Sequence, residues 1–217
     1  MARTLTLKKG VVEYEGGEIE IDLNAGDIVT QLNQAVKDNY NFRDADLSGL
    51  DLGGLDMRGA CLILANFSGC NLAKADFRGA FLSCTDFSHA LMTGAKFNYA
   101  RLSSTNFTGA DLSKGDFLYV EADGADFSNA NLADINSSFC TFTQSNFKNA
   151  DFSGSKLFDV TLEKVDFSGA KLLFDDDLFT NNDQVFFDNS TVFNSPTAKE
   201  IYAKYWINLD QTGHFHA

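Results

Sequence analysis

Three histidines, four cysteines and 30 carboxylates are the side chains in this 217-residue chain that could serve catalysis or metal binding. Their spacing argues against both. Cys61, Cys70, Cys84 and Cys140 form no Cys-x-x-Cys pair and lack metal-site spacing. The N-terminus has no apolar leader, so free thiols in a reducing compartment are expected. His89 stands alone beside Ser88, and His214 with His216 offers two ligands, which do not make a site. No Gly-x-Ser-x-Gly, phosphate loop, His-Glu-x-x-His or Cys–His arrangement occurs. The expectation is a non-enzymatic protein with no cofactor and no metal, acting through its surface.

Charge narrows the classes further. Seventeen Lys and Arg against 30 Asp and Glu give −13, which argues against direct binding of nucleic acid or of an anionic membrane. No run of 18 apolar residues occurs, so no membrane span is expected, and the expected location is cytoplasmic. Apolar residues make up 44%, enough to bury a core. The odd proportion is 21 Phe against one Pro.

The Phe residues are placed by a repeat. Ala-Asp-Leu-Ser-Gly from Ala45, Ala-Asp-Phe-Arg-Gly from Ala75, Thr-Asn-Phe-Thr-Gly from Thr105 and Val-Asp-Phe-Ser-Gly from Val165 share one five-residue register. Steps of five from Phe42 to Leu172 give 27 centres, all Leu, Phe or Met except Ala122 and Ser137. The residue two before the centre is usually small. A period of five fits neither helix nor plain strand. It describes a short strand and a corner, with one large and one small residue pointing inward. Four sides close a coil of 20 residues, and coils stack at the sheet spacing of roughly 4.8 Å. Sorting centres by 20 gives a column Leu47, Phe67, Phe87, Phe107, Phe127, Phe147, Phe167 and, opposite, Met57, Phe77, Phe97, Phe117, Ser137, Leu157.

This pattern resembles the pentapeptide-repeat family, whose motif is Ala-(Asp/Asn)-Leu-x-x, over residues 40 to about 174. The resemblance implies an all-β solenoid, a right-handed quadrilateral parallel β-helix, here of about seven coils. It says little about function, because members do many things.

A solenoid needs caps over its ends. Residues 1–40 are expected to form one. Leu5 and Leu7, then Val12 and Tyr14, then Ile19, Ile21 and Leu23 alternate with polar residues and read as a three-stranded β-meander, turning at Lys9-Gly10 and Gly16-Gly17. A helix over 27–37 should lie on the first coil. The β-helix is expected to span 41–194, with Asp175–Asp177 and Asn181–Asp183 in a protruding loop and Phe187 and Val192 back in register. Residues 195–217 are read as a short helix, starting at Ser195-Pro196 and ending near Trp206, and then a mobile tail. That helix is a cap or, as the resemblance to quinolone-resistance members implies, a dimer contact.

Two surface features compete for the function. The resemblance implies DNA mimicry as one option: some members bind DNA gyrase in place of DNA. The outward column Asp46, Asn66, Asp86, Asn106, Asp126, Asn146, Asp166 would supply the acidic face through Asp46, Asp86, Asp126 and Asp166. Residues 41–174, however, carry only five more acidic than basic residues, against about 18 charges on 30 Å of duplex DNA. The motif also prefers Asp or Asn at this position, and alternating them avoids stacked like charges. The second feature is a corner column reading Gly59, Gly79, Tyr99, Tyr119, Phe139, Asp159, with Leu118, Phe158, Phe81 and Arg101 near it. Aromatics in place of the usual corner Gly, beside Arg, suit a protein-binding edge unless a loop or the tail covers them. The favoured expectation is binding of another protein through this edge. The alternative is mimicry toward a topoisomerase or another DNA-handling protein, and the third is a purely structural role. The chain is expected as a monomer or as a dimer through its C-terminal helix.

Overall fold

The computed structural model describes residues 3–9, 18–24, 26–173, 177–183, 185–187, 190–193 and 207–208. Each quintet makes one side of a coil. Around Phe107, Asn106 bridges Asp86 in the preceding coil and Asp126 in the next. Asn106 N donates to Thr85 O at 2.9 Å, and Phe107 N donates to Asp126 O at 2.7 Å. Ala110 N then donates back to Phe107 O at 3.0 Å, closing a four-residue turn whose third residue, Gly109, has φ +66°. This is the arrangement of a type II turn. Every fifth residue from Gly49 to Gly169 has a positive φ, so the corner recurs without slippage.

The core forms in layers. Phe67, Phe87, Phe107, Phe127, Phe147 and Phe167 are buried and stack ring on ring at 4.7–5.2 Å. The opposite column stacks Phe77, Phe97 and Phe117 at 5.3 and 5.0 Å. The two columns meet edge to face, as at Phe97–Phe107 (5.7 Å, 90°), the geometry that ring quadrupoles favour. Where Ser137 interrupts the second column, the neighbouring inward position holds Ile135 instead of Ala. Ala122 likewise precedes the larger Phe142, whose ring packs edge-on to Phe127 and Phe147. Volume is thus conserved locally, as dense packing requires.

Polar residues at the small inward position have a defined task. The hydroxyls of Thr85, Thr105, Ser145 and Ser155 donate to the carbonyls of Leu62, Leu82, Ala122 and Leu132, each the centre of the preceding side one coil back. The Cys70 and Cys140 thiols make the same bond to Leu47 O and Phe117 O. Burial raises both thiol pKa values. All four cysteines are free, with Cys61 half-buried and Cys84 exposed. Titration of unfolded, unreduced protein should find four thiols; two or fewer would contradict the arrangement. In native protein Cys70 and Cys140 should react slowest.

The ends differ from expectation in four places. At the N-terminus, β1 (Thr4–Lys9) pairs directly with β2 (Glu18–Asp22), Leu5 against Ile21 and Leu7 against Ile19. Among the described residues the third strand of this sheet is β3 (Tyr40–Asn41) and the order is β2-β1-β3, so the first and last of the expected strands pair directly, which a meander would not allow. Strands with matching apolar faces pair, and β1 joins the cap to the first coil. Val12, Tyr14 and the Gly16-Gly17 turn lie outside the described residues. The expected helix is present as α1 (Ile28–Lys37) with Leu32 and Ala35 buried. It lies on the first coil, where Asn33 Oδ1 accepts from Asp56 N at 2.8 Å.

At the other end, Asp177 and Asn181–Asp183 are not in a protruding loop, and Asp175 and Asp176 lie outside the described residues. Strand Asp177–Asp183 runs parallel to Lys156–Glu163 with a bulge near Val160. An open strand edge recruits backbone whatever the side chains, which is why polarity misled there. Phe187 is buried on register, but Val192 is exposed and Phe193 pairs with Leu172. The coil gained one residue: Thr191 reaches Phe167 O across 24 positions where Thr105 spans 23. Ile207–Asn208 pairs with Phe186–Phe187, so part of the expected tail belongs to the sheet. The expected helix from Ser195 to Trp206 lies outside the described residues, as do His214 and His216.

Candidate protein-binding edge

The corner column from Gly59 to Phe139 is held coil to coil by backbone bonds. Gly59 N donates to Arg78 O at 3.0 Å, Gly79 N to Asn98 O at 2.9 Å, Tyr99 N to Leu118 O at 2.8 Å and Tyr119 N to Ser138 O at 3.0 Å. This stacks the Tyr99 and Tyr119 rings at 5.2 Å and the Tyr119 and Phe139 rings at 4.9 Å, within 13° of parallel. Phe158 closes the lower end edge-on to Phe139 at 5.5 Å. The residues stay open to solvent: Tyr99 is 61% exposed, Tyr119 46%, Phe139 40% and Phe158 48%. Leu118 is half-buried beside them. Around the corner the Arg101 guanidinium sits 5.4 Å from the centroid of the exposed Phe81 ring, with Glu121 3.9 Å from its Nε. Tyr99, Tyr119 and Phe139 therefore share one corner column, with Leu118 and Phe158 one residue before it and Phe81 and Arg101 two residues after it on the next side.

The three stacked aromatics adopt a backbone they disfavour. Tyr99, Tyr119 and Phe139 have φ of 63°, 55° and 56°, where a residue with a Cβ costs roughly 1–2 kcal/mol more than elsewhere. Ring stacking returns about 0.5–1.5 kcal/mol per pair. The ladder thus costs the fold roughly 2 kcal/mol on balance, which Gly at each corner would avoid without exposing rings.

The acidic column is arranged differently. Asp86 Oδ1 accepts from Ser88 N at 2.9 Å and from Asn106 Nδ2 at 3.0 Å. Asp126 Oδ1 accepts likewise from Ser128 N and Asn146 Nδ2. Asp46 pairs with Arg3 at 2.9 Å and Asp166 with Lys148 at 3.2 Å. Each carboxylate of the column is thus engaged in the turn that follows it and is interleaved with a neutral amide or countered by a cation.

These turns have a pH signature. Arg58, bidentate on Asp56, lowers its pKa. At Asp46, Asp76, Asp111 and Asp151, partial burial works the other way, but hydrogen bonds from Ser48, Arg78, Ser113 and Lys171 outweigh it and hold the pKa down. A carboxyl lowered by folding contributes stability that is complete above its unfolded value, near pH 4, and is lost as pH falls through the depressed folded values. Thermal melts should show Tm falling below about pH 4. A Tm that rises between pH 5 and pH 3 would contradict the assignment.

A family model for pentapeptide repeats (8 copies) matches residues 31–62, 41–79 and 60–98, and one for a pentapeptide repeat region matches 90–167. The chain belongs to the pentapeptide-repeat family. Among solved structures, trypsin-treated QnrB1, a plasmid-mediated fluoroquinolone resistance protein, is similar with a TM-score of 0.57 and 17% identity, over 71% of this chain and 83% of that one. HetL, a pentapeptide repeat protein involved in heterocyst differentiation regulation in the cyanobacterium Nostoc sp. strain PCC 7120, is 22% identical over 68% of this chain and 70% of its own, with a TM-score of 0.31. No curated protein matches the sequence. The QnrB1 likeness is one of fold, and the fold is a right-handed β-helix solenoid.

Among the described residues no helix is long and apolar enough to cross a membrane, and no group of three or more His, Cys, Asp or Glu could hold a metal ion. One feature had no sequence signal. A cavity of about 400 Å³ lies between the end of α1 and the first coils, lined by Val36, Tyr40, Arg58, Cys61, Ile63 and Phe81. Coil register sets Cys61 beside Phe81, and the placement of α1 brings Val36 and Tyr40 to the same cavity.

Proposed function

We propose that this pentapeptide-repeat protein works without catalysis, by binding another protein along the aromatic edge of its coil. The observation that carries this reading is the solvent-open ladder Tyr99–Tyr119–Phe139 in left-handed corner positions. Exposed aromatics beside an Arg have the composition of binding hot spots. The rigid solenoid presents them without further ordering cost. Monomeric chains rarely leave such a patch uncovered.

Tyr119→Ser removes two stacked pairs and should lower folding stability by about 1–3 kcal/mol while leaving the coil folded. A partner captured from the native host and purified should then bind the variant more weakly by about 1–2 kcal/mol or more. Binding should weaken far less with added salt than mimicry of DNA would, because apolar contacts are little screened.

Acidic mimicry of DNA is the second reading, favoured by the fold likeness to a fluoroquinolone resistance protein. It requires carboxylates free to meet a basic partner, and those of the column are already hydrogen-bonded or countered. Asp86→Asn with Asp126→Asn separates the two. If the pair abolishes partner binding while Tyr119→Ser leaves it intact, mimicry replaces the aromatic edge.

A further inference from the structure

We propose that the N-terminal half of the edge seats an aromatic side chain from an acidic segment of a partner protein, which continues the ring stack onto the free face of Tyr99. This rests on the reading of the edge as a protein-binding surface and names what binds there.

The ring ladder stops at Tyr99, but its backbone column does not. Gly79 and Gly59 occupy the next two rungs, joined by the same hydrogen bonds at the same spacing. A Cβ built on either meets nothing within 4 Å, so the space above Tyr99 is open. Tyr99 accordingly has one face on Tyr119 and is the most exposed of the rings. A ring entering over Gly79 would stack on Tyr99 as Tyr99 stacks on Tyr119. Beyond Gly59 lies the cavity of about 400 Å³ under the end of α1, within the roughly 300–1,000 Å³ of ligand pockets. Its wall carries polar Asn39, Asn41 and Arg58 beside apolar Val36, Ile63 and Phe81, a mixed recess for the flanking residues of such a segment.

Charge selects the segment. On this edge, residues 56–61, 76–81 and 96–101 carry Arg58, Arg78, Lys96 and Arg101 against Asp56 and Asp76; Arg58 and Arg78 are bidentate on those two carboxylates, so the surplus of two positive charges in a chain of −13 is that of Lys96 and Arg101. Lower down, 116–121, 136–141 and 156–161 carry Asp116, Glu121 and Asp159 against Lys156. The vacant rungs therefore lie in the basic half and the filled rungs mostly in the acidic half. An acidic segment is drawn to the open end, and a basic one is not.

The probe is acetyl-Glu-Glu-Trp-Glu-Glu-amide, titrated into the full chain and followed by amide shifts. Saturable shifts are expected at Gly59, Gly79 and Tyr99. Replacing the peptide's Trp by Leu, or its Glu by Lys, should weaken binding by roughly threefold to tenfold. Gly79→Tyr should fill the vacant rung from within and abolish binding. It should fold, because Tyr99 and Tyr119 already hold the φ it needs. If it does not fold, Tyr99→Ser carries the same expectation of lost binding. The proposal is overturned by the absence of saturable shifts, by equal binding of the Leu or Lys peptide, or by undiminished binding to the folded variants. If it is overturned while Tyr119→Ser still weakens the captured partner, the seat is wrong and the protein-binding edge stands.

Discussion

Phe107→Ala should cost the fold about 3–5 kcal/mol, the range for removing a buried ring. Phe107 is fully buried and lies between Phe87 at 5.2 Å and Phe127 at 4.9 Å, with the edge of Phe97 at 5.7 Å. Cores that can collapse around a deletion recover part of its cost. This one cannot readily do so, because backbone bonds on every side fix the coil spacing, here Phe87 N to Asn106 O and Phe107 N to Asp126 O, both at 2.7 Å. The void stays, and stacking is lost on both faces. Urea unfolding followed by two independent probes measures the loss, and coincident transitions guard against partial unfolding of the stack. A loss under about 1 kcal/mol would mean that Phe107 does not support the layers above and below it.

Gly115→Ala should destabilise by about 1–3 kcal/mol, although Gly-to-Ala changes in permissive backbone usually stabilise. Gly115 is at the small inward position, where Ala is the commonest residue, and it does not have the positive φ of the corners. Its added Cβ would lie 2.9 Å from Leu112 O and 2.9 Å from the Phe117 ring, and 3.3 Å from Ala95 O. Two of these three neighbours are backbone held in the ladder, and the third is a ring stacked on Phe97. None can yield without disturbing the coil. The same unfolding measurement decides it, and an unchanged or raised stability would show that the Phe117 ring moves aside.

The repeat was legible because its physics is local. A large residue every five, a small one two before it and a corner two after it fix one side of a coil. Stacking then follows from period alone, down to Phe87 on Phe107 on Phe127. The candidate edge was legible for the same reason: Tyr99, Tyr119 and Phe139 are 20 apart, so register places them on one corner. The exposure of their rings was not legible, because any loop or tail could have covered them. Nor was the engagement of the acidic column, since a sequence shows that Asp86 and Asn106 neighbour each other but not that the amide donates to the carboxylate.

The sequence by itself determined the coil, its core and the column each outward residue occupies, because a strict period converts position into place. The tertiary structure alone decided what happens where the period ends. Pairing of β1 with β2 and β3, recruitment of Asp177–Asp183 onto Lys156–Glu163, and the extra residue before Phe193 depend on which strand edge is open. The cavity beneath α1 depends on how a non-repeating helix meets the first coils. Backbone edges and cap packing join residues remote in sequence with no recurring pattern, so nothing in the order of residues announces them.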